Sequence, residues 1–194
     1  MKSTSFILAS GSPRRRELLE QLGARFQVET FPVEELEDPN FTPRELCRAN
    51  AFRKAQAVAM RHPAKLVIGA DTLVHLNNET FGKPASLAVA RRMLRRLSGR
   101  THEVTTACCI VQWRPPWRVV FEETTLVRFA DLSDRQIRNY LAAIDPLDKA
   151  GAYAIQQHGE WIVEALDGSF TNVVGLPVER LRDELASWRE GEMV

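Results

Sequence analysis

The sequence predicts an α/β fold: a single domain over residues 1–194, with a twisted mixed β-sheet flanked by helices. Three observations carry this. Short apolar runs of strand type recur along the chain, capped helical segments stand between some of them, and the two kinds do not alternate strictly. The third observation argues against a doubly wound parallel sheet. A chain of 194 residues is also long enough to bury a full core without a staple.

The elements follow in order. Ser5-Phe6-Ile7-Leu8-Ala9 is a short apolar strand. Ser12 is a good N-cap, Pro13 suits the first helical position, Leu18, Leu19 and Leu22 form an apolar stripe, and Gly23 suits the C-terminal cap of this first helix. Phe26 to Val33 should return as a strand. Thr42-Pro43-Arg44-Glu45 is a capping box that opens a helix reaching about Arg61. Leu66-Val67-Ile68-Gly69-Ala70 reads as a buried central strand ending at Asp71-Thr72. Ser86 to Leu97 is a helix. Two long β-type runs, His102 to Trp113 and Arg118 to Phe129, flank a turn at Pro115-Pro116. A second capping box at Ser133 opens a helix to about Ala143. Gly151 to Gln156 and Trp161 to Ala165 look extended, and a last helix should span about Val178 to Trp188.

Composition excludes several classes. Hydrophobic residues make up 44% of the chain and charged residues 26%, and the net charge is +1, so bulk electrostatics does not point to nucleic acid. No apolar run is long enough to span a membrane, and the N-terminal Phe-Ile-Leu-Ala stretch is too short for a signal segment. Cys47, Cys108 and Cys109 are odd in number and lack zinc-ligand spacing, which argues against a disulfide framework and favours a reduced, cytoplasmic setting. The two adjacent cysteines read as buried, inert thiols. His62, His75, His102 and His158 lack ligand spacing and read as surface or hairpin residues.

Five stretches carry chemistry. Ser10-Gly11-Ser12-Pro13-Arg14-Arg15 puts small residues and two arginines at a helix N-terminus, where free N–H groups favour an anion. Arginine opposes the helix dipole there, and a bound phosphate would compensate. Asp71 follows a buried apolar strand, where an unpaired charge is costly, so a metal or a cationic partner is implied. The acidic run Glu34-Glu35-Leu36-Glu37-Asp38 reads as a solvated loop, or as a donor of one carboxylate to a hard cation. Lys83 stands in a rigid Gly-Lys-Pro turn. Asp148 to Gln156 combines small residues with a terminal amide able to read a base edge. The set describes an enzyme acting on a nucleotide. Against it stands the basic face of Arg91, Arg92, Arg95 and Arg96, which suits a solvated surface or a non-catalytic nucleotide- or nucleic-acid-binding regulator of cell division.

At these residues the chain resembles the Maf family of nucleotide pyrophosphatases. Six stretches carry the resemblance in family order: Leu8-Ala9-Ser10-Gly11-Ser12-Pro13-Arg14-Arg15, Gly69-Ala70-Asp71-Thr72, Gly82-Lys83-Pro84, Leu97-Ser98-Gly99-Arg100-Thr101-His102, Asp148-Lys149-Ala150-Gly151-Ala152-Tyr153 and Val174-Gly175-Leu176-Pro177. The resemblance implies the inosine-triphosphatase-like fold and hydrolysis of a nucleoside triphosphate between its α and β phosphates, with a divalent metal cation, magnesium or manganese. It resembles the branch acting on dTTP and UTP, with modified pyrimidine nucleotides as further candidates. The sister branch, acting on 7-methyl-GTP, has a Ser-Asp-Gln segment where Ala70-Asp71-Thr72 stands. Carried over by position, Asp71 matches the family's catalytic acidic residue, the proton acceptor. Arg14, Thr72 and Gln156 match positions linked to substrate choice, and Glu35, Lys54 and Lys83 match other active-site positions.

The expected arrangement follows from this. Glu35 and Asp71 hold the metal, Arg14, Arg15, Lys54 and Lys83 neutralise phosphate oxygens, and Gln156 pairs with uracil or thymine. Whether Asp71 is the base or a metal ligand stays open. Two departures stand out: Ala154-Ile155-Gln156-Gln157 replaces Gly-Ile-Gln-Gly, and Arg53 precedes Lys54 where an acidic residue is common. A homodimer is expected from the resemblance alone, and neither a nucleic acid nor a membrane partner is expected.

Overall fold

Strands form where the apolar runs stand. The computed structural model describes residues 5–191; the expectation about a signal segment rests in part on residues before these. Among the described residues the strands are β1 Phe6–Leu8, β2 Phe26–Val28, β3 Val67–Leu76, β4 Glu79–Phe81, β5 Thr101–Gln112, β6 Trp117–Phe129 and β7 Val163–Asp167. The helices are α1 Pro13–Gln21, α2 Pro43–Ala59, α3 Leu87–Leu97, α4 Asp134–Ala143, α5 Phe170–Val174 and α6 Val178–Gly191. Hydrogen bonds order the strands β2-β1-β3-β5-β6-β7, with β4 paired to β3. β1 runs parallel to β2 and β3, while β4 and β7 are antiparallel to their neighbours, so the sheet is mixed as expected. No helix among the described residues is long and apolar enough to cross a membrane.

The chain forms two compact units, and it passes from one to the other at Asp71/Thr72, Thr105/Thr106, Glu123/Thr124 and Val174/Gly175. Three of these points fall inside β3, β5 and β6 rather than in linkers. The first unit holds α1, α2, β1, β2 and the start of β3. Ser12 caps α1 by accepting from the Arg15 N–H, and Gly23 follows in the left-handed region at φ 67°. The Thr42 capping box is closed in both directions by Glu45. α2 buries a stripe of Cys47, Ala51, Ala55 and Val58. That stripe meets β3 at Gly69, where a Cβ would fall 2.6 Å from the Ala51 carbonyl oxygen and 2.7 Å from the Ala55 nitrogen. Only glycine permits so close an approach of helix to strand.

The second unit has its own core of Val74, Leu94, Leu97, Phe129, Ile137, Tyr140, Tyr153 and Ile162. α3 starts at the Ser86 cap and α4 at the Ser133 capping box, as read from the sequence.

The structure corrects four readings. The strand from Phe26 stops at Val28 rather than Val33, since the residues beyond are mostly exposed and Pro32 has no N–H to give a ladder. β3 does not end at Asp71-Thr72 but continues to Leu76, because Val74 to Leu76 pair antiparallel with β4 and the His75 ring finds a partner in the Thr105 hydroxyl at 3.0 Å. Gly151 to Gln156 is not extended: Ala150–Ala152 forms a tight 3₁₀ turn, with Gly151 and Ala152 at φ 69° and 62°. Of the surface or hairpin reading, the surface half fails for His75 and His102: both lie on strands, His75 in the β3–β4 hairpin, but they are buried at 3% and 1% exposure and belong to the packing.

Candidate active site

The first unit brings together three of the residues singled out from the sequence. Asp71 sits on β3, Lys54 on α2 and Glu35 in the acidic loop. The Lys54 ammonium donates to Asp71 Oδ1 and to Glu35 Oε1, each at 2.6 Å. Asp71 is buried, with 5% exposure, so its ion pair with Lys54 is better shielded than a surface bridge. Its other oxygen, Oδ2, is buried with no hydrogen-bond partner. An unpaired buried acceptor costs about 1–3 kcal/mol, more when charged.

Local structure explains the convergence. Gly69 lets α2 lie close on β3, and the Cys47 thiol donates to the Asp71 carbonyl at 3.1 Å, fixing the backbone that bears the carboxylate. Burial pushes the Cys47 thiol well up, and the charge of Asp71 adds to this. Cys108 and Cys109 are likewise buried, and burial raises both to about 12, so they are inert as expected.

Sequence reasoning missed one positioning residue. Asn50, buried one turn before Lys54, accepts from the Leu36 N–H at 2.7 Å and donates to the Leu36 carbonyl at 3.2 Å. This clamp holds the loop next to Glu35. A buried amide interrupting the Cys47-Ala51-Ala55 stripe was the available signal.

The two arginines lie at the start of α1 in the same unit. Arg15 donates from Nε to the Gly175 carbonyl at 2.8 Å and from Nη1 to Ser10 Oγ at 3.0 Å, tying the β1–α1 loop to the residue that precedes Leu176-Pro177. Arg14 is half-buried.

Thr72, Lys83 and Gln156 belong to the second unit. Lys83 and Gln156 are exposed, and among the described residues neither side chain has a hydrogen bond or ion pair. The turn of Lys83 is linked to the segment leading to Gln156, because the Gly151 N–H donates to the Gly82 carbonyl at 3.2 Å. That segment is held from several sides. Val74 packs so tightly that a Cβ on Gly151 would lie 3.1 Å from Val74 Cγ1. The Tyr140 hydroxyl grips Ala154 twice, donating to its carbonyl at 3.1 Å and accepting from its N–H at 3.0 Å. His102 Nε2 lies 2.9 Å from the Tyr153 hydroxyl.

The basic helix face has a structural explanation. Arg95 makes a two-bond fork to Asp134 at 2.7 Å, Arg91 joins the same carboxylate at 3.2 Å, and Arg96 pairs with Glu79 at 3.0 Å. Three of the four guanidinium groups thus have carboxylate partners within the unit, which accounts for the basic face without a ligand.

A divalent cation fits the acidic pair. Glu35 Oε1 and Asp71 Oδ1 already converge on one cationic group, and Asp71 Oδ2 is an orphaned buried oxygen. Such hard oxygen donors suit magnesium or manganese.

The fold is shared with a solved structure, the Staphylococcus aureus Ham1 protein, which matches 97% of this chain and 100% of that one with a TM-score of 0.53 at 17% sequence identity. A model described as Maf-like protein matches residues 5–188. The chain belongs to the Maf family. A dTTP/UTP pyrophosphatase from Akkermansia muciniphila is 49% identical over 173 residues, covering 89% of this chain and 90% of that protein. Another from Gloeobacter violaceus is 47% identical over 182 residues, covering 94% of this chain and 95% of that protein.

Proposed function

We propose that this chain hydrolyses dTTP and UTP between the α and β phosphates, giving nucleoside monophosphate and pyrophosphate. Relatives that match it over nearly their whole length bear the name dTTP/UTP pyrophosphatase. The observation that carries the reading is Asp71, a buried carboxylate with one oxygen held by Lys54 and the other left without a partner.

Glu35 and Asp71 would hold a magnesium or manganese ion, which supplies neutralisation of triphosphate charge when bound. Lys54 orients Asp71 in the nucleotide-free site through its bond to Oδ1. Asp71 Oδ2 accepts a proton from the water whose oxygen attacks the α-phosphorus, and the bond to the β-phosphate oxygen breaks to release pyrophosphate. Arg14, Arg15 and Lys83 bind phosphate oxygens. Gln156, with Thr72, selects the base: its amide matches the O4 acceptor and N3–H donor of uracil and thymine, and a base of the wrong pattern leaves the amide unpaired once the bound nucleotide covers it. The setting is cytoplasmic, where unpaired thiols such as the three buried here persist.

The test is pyrophosphate release from a panel of UTP, dTTP, CTP, ATP, GTP and 7-methyl-GTP, with and without chelator. UTP and dTTP should be hydrolysed at least about 10-fold better than the others, and chelator should stop the reaction. Preference for 7-methyl-GTP, or binding without hydrolysis, would overturn the reading. In Gln156→Ala the preference for UTP and dTTP should fall more than basal hydrolysis.

A further inference from the structure

The contact between Lys54 and the acidic pair has a consequence for how the site is loaded. One Nζ stands 2.6 Å from both Glu35 Oε1 and Asp71 Oδ1, so a side chain of the protein occupies the position where a cation would bridge these carboxylates. We propose that Lys54 is a placeholder for the divalent ion: it shuts out free metal while no nucleotide is bound, and metal enters only together with the triphosphate. This rests on the reading of Glu35 and Asp71 as the metal-holding pair.

Three arguments support it. An ammonium and a dication cannot share the same two oxygens, because a cation at about 2.0–2.1 Å from them lies within direct repulsion of the lysine. The protein also offers few donors of its own. No group of three or more His, Cys, Asp and Glu side chains among the described residues could hold a metal, whereas magnesium demands about six oxygens and takes several from water and substrate phosphates. Lastly, Lys54 has somewhere else to go. Its ammonium rides on a flexible four-carbon stem and its side chain is 21% exposed. Triphosphate oxygens offer it a stronger anionic partner, and on moving to them it uncovers both carboxylates. Asn50 meanwhile keeps its hold on Leu36, so the loop bearing Glu35 stays in place.

The experiment measures manganese(II) binding to nucleotide-free protein by electron paramagnetic resonance of the free ion. Wild type should bind weakly, in the millimolar range. Lys54→Met should bind at least about tenfold more tightly, because the pair is uncovered while the ammonium is gone. Adding Asp71→Asn to that variant should abolish the gain, and the exposed-lysine control Lys65→Met should match wild type. If Lys54→Met does not fold, Lys54→Gln is read the same way. A gain under twofold in the folded Lys54 variant, or micromolar binding by wild type, would overturn the proposal. UTP hydrolysis by wild type is measured separately: loss of that reading shows as no pyrophosphate, and loss of this one as an unchanged manganese isotherm.

Discussion

Asn50 and Leu36 are joined by two hydrogen bonds, the Leu36 N–H to Asn50 Oδ1 at 2.7 Å and Asn50 Nδ2 to the Leu36 carbonyl at 3.2 Å. The amide lies in the buried stripe of α2, one turn before Lys54, so helix and loop are registered against each other where Lys54 meets Glu35. Asn50→Ala leaves the loop backbone without its partner, at a cost of about 1–3 kcal/mol. The expected result is a higher metal requirement for UTP hydrolysis with the base preference unchanged. Metal titrations of kcat across UTP and CTP check this; an unchanged metal requirement would remove Asn50 from the positioning of Glu35.

Asp71→Asn should lower turnover by at least about 100-fold, whether the carboxylate serves as base or as ligand. The amide is nearly isosteric and its oxygen can still accept from Lys54 as Asp71 Oδ1 does, so the fold should survive. Steady-state kinetics with far-ultraviolet circular dichroism as a folding control decide the matter. Near-normal turnover by folded protein would exclude Asp71 from the chemistry.

What was legible in the sequence was local. Both capping boxes lie within four consecutive residues, and both helices begin where those residues said. Asp71 was legible as a carboxylate after an apolar run. Its place inside a longer strand was not, because β3 is carried on past the apolar run by pairing with β4 and by the polar His75, whose ring partner Thr105 lies 30 residues away. Asn50 was hidden for the same reason, its partner lying in a loop 14 residues earlier. The basic face of α3 was ambiguous because its counter-charges, Asp134 and Glu79, are supplied by other elements. Tertiary partners of this kind leave no periodic trace.

Gly69→Ala tests the packing that puts Lys54 over Asp71. The new methyl would fall 2.6–2.8 Å from Ala51 O, Ala55 N and Ala55 Cβ, and two of these atoms are backbone that cannot swing aside. Overpacking of this type costs about 1–3 kcal/mol. In a chain of this size that lowers the melting temperature by about 2–10 °C, and the displaced helix should weaken turnover as well. Thermal denaturation with no loss in the variant would show that α2 yields freely.

Tyr140→Phe removes the hydroxyl that binds Ala154 at both its N–H and its carbonyl. The ring still fills its place in the core, so the loss is confined to two buried backbone groups, worth about 1–3 kcal/mol. Gln156 follows two residues later, and the expected signature is a rise in KM for UTP and a smaller ratio of UTP to CTP hydrolysis, with kcat little changed. A fall in kcat alone, with selectivity intact, would separate Tyr140 from base choice.

Burial of a neutral His102 predicts a loss of stability in acid for the second unit. It is 1% exposed and stands edge-on to Phe129 with ring centroids 4.8 Å apart; its Nε2 meets the Tyr153 hydroxyl, and its Nδ1 is buried without a partner. Burial, with the nearby His75 adding to it, lowers its pKa to about 4. In the unfolded chain the imidazole returns to about 6.5, so between these values the unfolded state binds a proton that the folded state does not. Stability contributed by neutral His102 is therefore complete above about pH 6.5 and is lost as the pH falls toward about 4, at up to about 1.4 kcal/mol per pH unit. Denaturant unfolding at about pH 7 and about pH 5 should show wild type losing about 2 kcal/mol more than His102→Gln, whose amide can still bond Tyr153 but does not titrate. Equal losses in the two proteins would mean that protonation of His102 does not govern acid unfolding.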